Sequence, residues 1–170
     1  MWLDSNRPRT PMTDHDLEAI LYNKPGHLIR RLQQIATTVF LEETADYDTT
    51  PVQYGALAAI RAHPGIDQLR VAQAIGFDRN TISGVVERLE IKGLISRSTG
   101  TDRRTKLLYL TAEGEALLDM MYPATERAQE RMLTGLNKTE QQTFIKMLKR
   151  LVDANNEVSR VPVSAPGRRD

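Results

Sequence analysis

Side chains able to meet a nucleic acid crowd two short stretches of the chain: Arg79, Asn80, Thr81, Ser83 and Arg88 in the first, Asp102, Arg103, Arg104 and Lys106 in the second. None of these groups makes or breaks a bond at such spacing. Guanidinium and ammonium groups neutralise phosphates, while Asn, Ser, Thr and Arg carry donors and acceptors that match base edges. From Asp78 to Lys106, seven Lys or Arg stand against four Asp or Glu, a net of seven minus four, or +3; the remainder holds 16 basic and 18 acidic residues, a net of −2. The overall charge of +1 thus conceals a basic module on a slightly acidic body, as phosphate binding requires. A solvated helix face beside a polar hairpin tip would give the same charges, so the reading depends on the elements that hold them.

Other chemistries find little footing. The chain has three histidines, His15, His27 and His63, and none stands at metal-ligand spacing from another histidine or a carboxylate pair. Nucleophile-elbow, phosphate-loop and dinucleotide fingerprints are missing from the sequence. Glu42, Glu43 and Glu140 read as ordinary helix-surface charge. Cysteine does not occur, which removes disulfides, thiolate metal sites and thiol redox switching. We expect no enzyme, no cofactor and no metal.

The positioning elements are strongly marked. In the stretch from Arg79 to Lys92 the apolar residues Ile82, Val85, Val86 and Leu89 fall at i, i+3, i+4 and i+7, one face of a helix. Asn80, Ser83, Gly84, Glu87 and Arg88 occupy the other face. Asp78 is placed as N-cap, Phe77 as a hydrophobic staple onto Ile82, and Gly93 as the left-handed terminator. The stretch from Asp67 to Ile75 repeats this grammar with Asp67 as cap, Ile66 stapled to Val71, and Gly76 as terminator. Two helices meeting at so short a turn form a helix-turn-helix. Strand-like Leu94 to Ser98 and Lys106 to Leu110 then flank a basic turn, which describes a hairpin wing.

The ordered set of Asp78 to Gly93, Asp102-Arg103-Arg104 and Leu110-Thr111 closely resembles the MarR family of winged helix-turn-helix transcriptional regulators, over about residues 14–156. The resemblance implies a homodimer that binds a pseudo-palindromic operator in double-stranded DNA. It also implies that Asp102 holds Arg104 by a salt bridge while Arg104 enters the minor groove. Arg103 and Lys106 would then support on phosphates, and Gly84 would let the recognition helix approach closely. One branch of the family senses peroxides through cysteine, which this chain lacks. Members commonly hold small, often aromatic, anionic effectors between the dimer helices and the winged module; His27, Arg30, Arg31, Gln53, Tyr54 and His63 are the candidates here. The opening Gly26 to Arg31 resembles the branch that responds to hydroxynicotinate and related aromatic acids. A plainer role is open for each: a helix-end residue for His63, a surface or dimer salt bridge for Arg30 or Arg31.

The expected fold is mostly α with a small β-hairpin wing, an α+β winged helix-turn-helix whose terminal helices form a dimerisation region. Residues 1–13 read as a flexible tail, 14–48 as an N-terminal dimerisation helix region broken at Pro25-Gly26, 49–111 as the winged module, 112–156 as C-terminal dimerisation helices bent at Pro123, and 157–170 as a second flexible tail. Leu28, Leu32, Ile35 and Val39 make a narrow apolar seam, with His27, Arg30 and Arg31 beside it. Thr50-Pro51-Val52-Gln53 and Asn137 to Glu140 have capping-box spacing. No apolar run reaches membrane-spanning length and no signal peptide opens the chain, so the expectation is a cytoplasmic, nucleoid-associated protein. The function expected is a ligand-released repressor. Two alternatives are a winged-helix module acting through protein partners and a DNA-binding regulator without an effector.

Overall fold

The computed structural model describes residues 13, 18, 22–99, 105–159 and 161–163. Helix α1 (Pro25–Glu43) leads through a 3-10 turn (Ala45–Tyr47) to α2 (Pro51–Ala62). Strand β1 (Ile66–Asp67), α3 (Gln68–Ile75), α4 (Arg79–Ile91), β2 (Ile95–Thr99) and β3 (Lys106–Leu110) follow. Two long helices, α5 (Ala112–Met132) and α6 (Lys138–Asn155), complete the order. Among the described residues no helix is long and apolar enough to cross a membrane.

The capping residues act as their types dictate. Thr50 Oγ1 accepts from the Gln53 amide at 3.3 Å and Gln53 Oε1 accepts from the Thr50 amide at 3.2 Å, so α2 starts on a reciprocal box behind Pro51. Asn137 and Glu140 repeat the box at α6. Asp67, Asp78 and Thr111 each accept one amide at their helix starts. Each such cap satisfies one amide that the helix itself cannot, which is why the boundaries fall where the sequence puts them.

Between α2, α3, α4 and the sheet lies a closed core. Leu57, Ile60, Val71, Ile82, Val86, Leu89 and Leu108 are almost fully buried in it, and the stripe expected on α4 supplies three of them. The sheet has three antiparallel strands in the order β1-β3-β2, with Ile66 opposite Leu108 and Ile95 opposite Leu110. Strand β1 was not expected, because two residues leave no periodicity to read. Phe77 differs from its expected staple role, keeping 40% of its surface exposed. The turn is closed instead by Gly76 at φ 70°, with the Gly76 and Phe77 amides both donating to the Ala72 carbonyl.

The terminal helices are packed differently. Helix α5 runs through Pro123 as one helix and lies along α1. Glu43 and Glu42, expected to be plain surface charge, tie these two together: Glu43 meets Arg127 at 2.9 Å and Arg131 at 2.7 Å, and Glu42 meets Arg131 at 2.8 Å. Helix α6 buries no side chain within the protomer, leaving Ile145, Met147, Leu151 and Val152 exposed, and Leu28 and Ile35 of the α1 seam are exposed as well.

Candidate nucleic-acid interface

Helix α4 carries the expected contact residues outward because its inward stripe is held so firmly. With 3.6 residues per turn, Asn80, Gly84, Glu87 and Ile91 lie opposite Ile82, Val86 and Leu89, while Thr81, Arg88 and Lys92 stand on one flank. A Cβ added at Gly84 would meet nothing within 4 Å, so the centre of this face is open to a close partner. Arg79, Asn80, Ser83 and Arg88 are all exposed. Thr81 is exposed but partly engaged: its hydroxyl donates to Asp78 Oδ2 at 2.5 Å while its amide donates to Oδ1 at 2.9 Å. Those two bonds, the hydroxyl first, hold the Asp78 carboxyl below the usual carboxylate range. Thr81 can therefore accept from a base amino group but has no hydroxyl proton left to offer a phosphate.

Two exposed residues of this face escaped the sequence reading as contacts. Glu87 places a carboxylate in its middle, and Ile91 is 79% exposed. Each lies on the outward side by the same helical arithmetic that selected Asn80, so the signal was present and only the charge-based selection missed them.

The wing is anchored from both strands. Arg97 of β2 meets Glu90 of α4 at 2.9 Å, fixing the hairpin against the helix. Across the strands, Thr99 is the register partner of Lys106, and Lys106 Nζ donates to Thr99 Oγ1 at 3.2 Å. Asp102, Arg103 and Arg104 lie outside the described residues.

A groove of about 460 Å³ opens where the end of α1, the linker and the start of α2 face the end of α4. Thr44, Thr49, Thr50, Gln53, Arg88 and Lys92 line it. Lys92 Nζ donates to the Asp48 carbonyl at 2.5 Å and to its carboxylate at 2.8 Å. Asp48 is the one described non-glycine residue at positive φ, 44°, a conformation that Asp tolerates better than most residues. The Lys92 ammonium holds the Asp48 carboxyl below its ordinary range. Among the described residues the Arg88 guanidinium has no hydrogen-bond or ion-pair partner, which leaves it as the groove's available cation.

The six residues expected around an effector do not converge within one protomer. Gln53 does line the groove, although its Oε1 is occupied by the Thr50 amide. Tyr54 packs on Phe40, with ring centres 5.8 Å apart, and its hydroxyl lies 3.3 Å from that of Thr125, which itself donates to the Tyr122 carbonyl. His27 packs edge-on against Tyr22, Arg31 donates to Gln34, Arg30 is exposed, and His63 is the exposed cap at the far end of α2. Along α1, Arg31 and Phe40 are nine residues apart, about 13 Å at helical rise. The expected cationic cluster beside Tyr54 therefore does not form inside the protomer. Thr44, Thr49 and Lys92 were missed, because residues so far apart in sequence share the groove only after folding.

A capped two-helix turn, an outward polar face on its second helix and a hairpin anchored beside it define a winged helix-turn-helix protein. The comparisons then specify the group: the chain belongs to the MarR family, whose model matches residues 47–105. The HTH-type transcriptional repressor NicR of Pseudomonas putida is 34% identical over 131 residues, covering 76% of this chain and 83% of NicR. A structure concerned with the regulation of DNA binding of Bordetella bronchiseptica BpsR by 6-hydroxynicotinic acid is similar with a TM-score of 0.73 at 32% identity, covering 76% of this chain and 94% of that one. The repressor CouR bound to a 23-mer DNA duplex is similar with a TM-score of 0.74 at 26% identity, covering 84% and 99%. The chain is accordingly a DNA-binding transcriptional regulator and not an enzyme.

Proposed function

We propose that the chain works in the cytoplasm as a homodimeric repressor, which grips a pseudo-palindromic operator and lets go when a small aromatic anion enters the groove beside α4. Arg88 carries this reading, because it belongs at once to the outward side of the recognition helix and to the wall of the groove. A guanidinium can hold a carboxylate in two parallel hydrogen bonds. An anion so held withdraws Arg88 from DNA and pulls the end of α4 toward the linker. The kinship with NicR and BpsR supports an aromatic acid as the first class of effector to try.

On the DNA side, α4 enters the major groove with Arg79, Asn80, Thr81, Ser83 and Arg88 meeting bases or phosphates and Gly84 permitting close approach. Asp102 orients Arg104 into the minor groove, while Arg103 and Lys106 rest on phosphates. The exposed apolar faces of α1 and α6 close on a second copy, which sets the two recognition helices roughly 34–36 Å apart, one turn of DNA.

The test begins with genomic fragments retained by the purified protein, followed by titration of aromatic acids, 6-hydroxynicotinic acid first, against the bound operator. Release at a saturating concentration is expected. Since linkage limits release to the ligand's preference for the unbound state, binding without release would sink the effector half of the proposal and leave the operator half standing.

A further inference from the structure

We propose that Glu87 is a specificity-determining residue of the recognition helix, its carboxylate accepting from the amino group of one cytosine per half-site in the major groove. Three carboxylates stand on α4 and its cap, and two of them are taken. Asp78 accepts from the amide and the hydroxyl of Thr81, and Glu90 meets Arg97 of the wing at 2.9 Å. Glu87 is exposed and, among the described residues, has no hydrogen-bond or ion-pair partner. Its own helix supplies none: the positions three and four residues away hold Ser83, Gly84, Glu90 and Ile91, and the adjacent Arg88 points about 100° further round.

The outward line of α4 runs Asn80, Gly84, Glu87, Ile91, and no cation lies on it. Arg88 and Lys92 stand to one flank, Lys92 tied to Asp48. A major groove has base edges for its floor and phosphates along its rims, so a centre line without cations matches the floor and a cationic flank matches a rim. A carboxylate repels phosphate, and Ile91, 79% exposed, has no donor for one. Base edges are the partners that remain. An ionised carboxylate only accepts, and the donors on the major-groove floor are the amino groups of cytosine and adenine. Adenine sets its N7 acceptor beside that amino group, where it opposes the second carboxylate oxygen; cytosine carries no acceptor there, so cytosine is the better match. Gly84, three residues before Glu87, has open space where a Cβ would stand, which lets the helix sink until a glutamate can reach the floor.

The inference rests on α4 entering the major groove, and the test separates the two. Duplexes in which each base pair of the retained operator is changed in turn compete for the intact chain, for Glu87→Ala, for Glu87→Gln and, as a probe of the groove assignment, for Asn80→Ala. Replacing one C·G pair in each half-site should cost the intact chain roughly 5- to 100-fold in affinity. Glu87→Ala should flatten that position alone and should tighten binding to unrelated DNA, because a negative charge has left the face. Glu87→Gln should move the preference there toward adenine, whose N6 and N7 a glutamine engages together. Suppose instead that Glu87→Ala strengthens every duplex by one common factor while Asn80→Ala flattens a position of its own. Then α4 reads bases and Glu87 merely repels phosphate, which overturns this inference alone. A flattened position that is not C·G overturns it as well. If neither alanine variant flattens any position, α4 is not the reading helix and the groove assignment falls together with the role of Glu87.

Discussion

The winged module and the terminal helices are built on opposite plans. The module is closed: α2, α3, α4 and the sheet fill their own core, and each helix start carries its own cap. The arms are open: α6 buries nothing and α1 buries only Phe40, so their apolar faces await a partner. The difference separates two tasks. A reading head must keep one shape whatever it binds, whereas in the dimer proposed above the arms set a distance and need a second copy to complete them.

The contrast breaks most visibly at α6. Leu151→Asp places a charge on the exposed apolar face and is expected to yield monomers in sedimentation, with operator affinity falling roughly 10²–10⁴-fold as bivalency is lost. Melting of the module should remain cooperative. A dimer with undiminished affinity would show that this face is not the contact. The converse substitution, Leu57→Ala, attacks the closed core, where Leu57 is 0% exposed. Unfolding in urea should show a loss of about 2–5 kcal/mol, with dimer contacts untouched.

The same division explains what could be read in advance. Caps, the α4 stripe and Gly76 were legible because each is decided within four or five residues. Strand β1 was not, being too short to carry a pattern and stabilised only by β3. The Glu43 clamp and the Asp48 to Lys92 tie join residues 84 and 44 positions apart, a proximity that only the packed fold creates. The residues expected around an effector do not meet within one protomer for the reverse reason: chemically suitable residues were grouped by type, while the helix rise keeps Arg31 well away from Tyr54. In the terminal segment, two bonds from the Asn156 side-chain amide to Val163 anchor a stretch whose composition says only that it has no core of its own.

Arg88 sharpens the comparison because it stands at the boundary between module and groove. Arg88→Lys keeps the charge but loses the planar fork. Operator discrimination should fall by about 1–3 kcal/mol at one position in each half-site, measured by competition with singly substituted duplexes. Release by an aromatic acid should need more ligand in the same variant. If discrimination falls and ligand response does not, Arg88 serves DNA alone.

The smallest effect concerns the joint between the two regions, and pH reaches it. Glu43 is held below its ordinary value of 4.5 chiefly by hydrogen bonds from Arg131 and then Arg127, and Asp48 below 3.8 by Lys92. A carboxylate with a depressed pKa stabilises the fold fully above its unfolded value and loses that contribution as pH falls through the folded one. Melting temperature should therefore stay level from neutral pH to about 5 and decline below about 4.5, the window set by those unfolded values. Asp48 is fully open to solvent and both arginine partners of Glu43 are exposed, although Glu43 itself keeps only 15% of its side-chain surface exposed, so screening keeps the decline shallow and high salt should flatten it further. Glu43→Gln removes one contributor: it should lower the neutral melting temperature slightly and reduce the acid slope, because the glutamine has no proton to gain. If Glu43→Gln leaves the acid limb as steep as before, the loss comes from carboxylates elsewhere, and the bond between α1 and α5 is held by packing and not by this clamp.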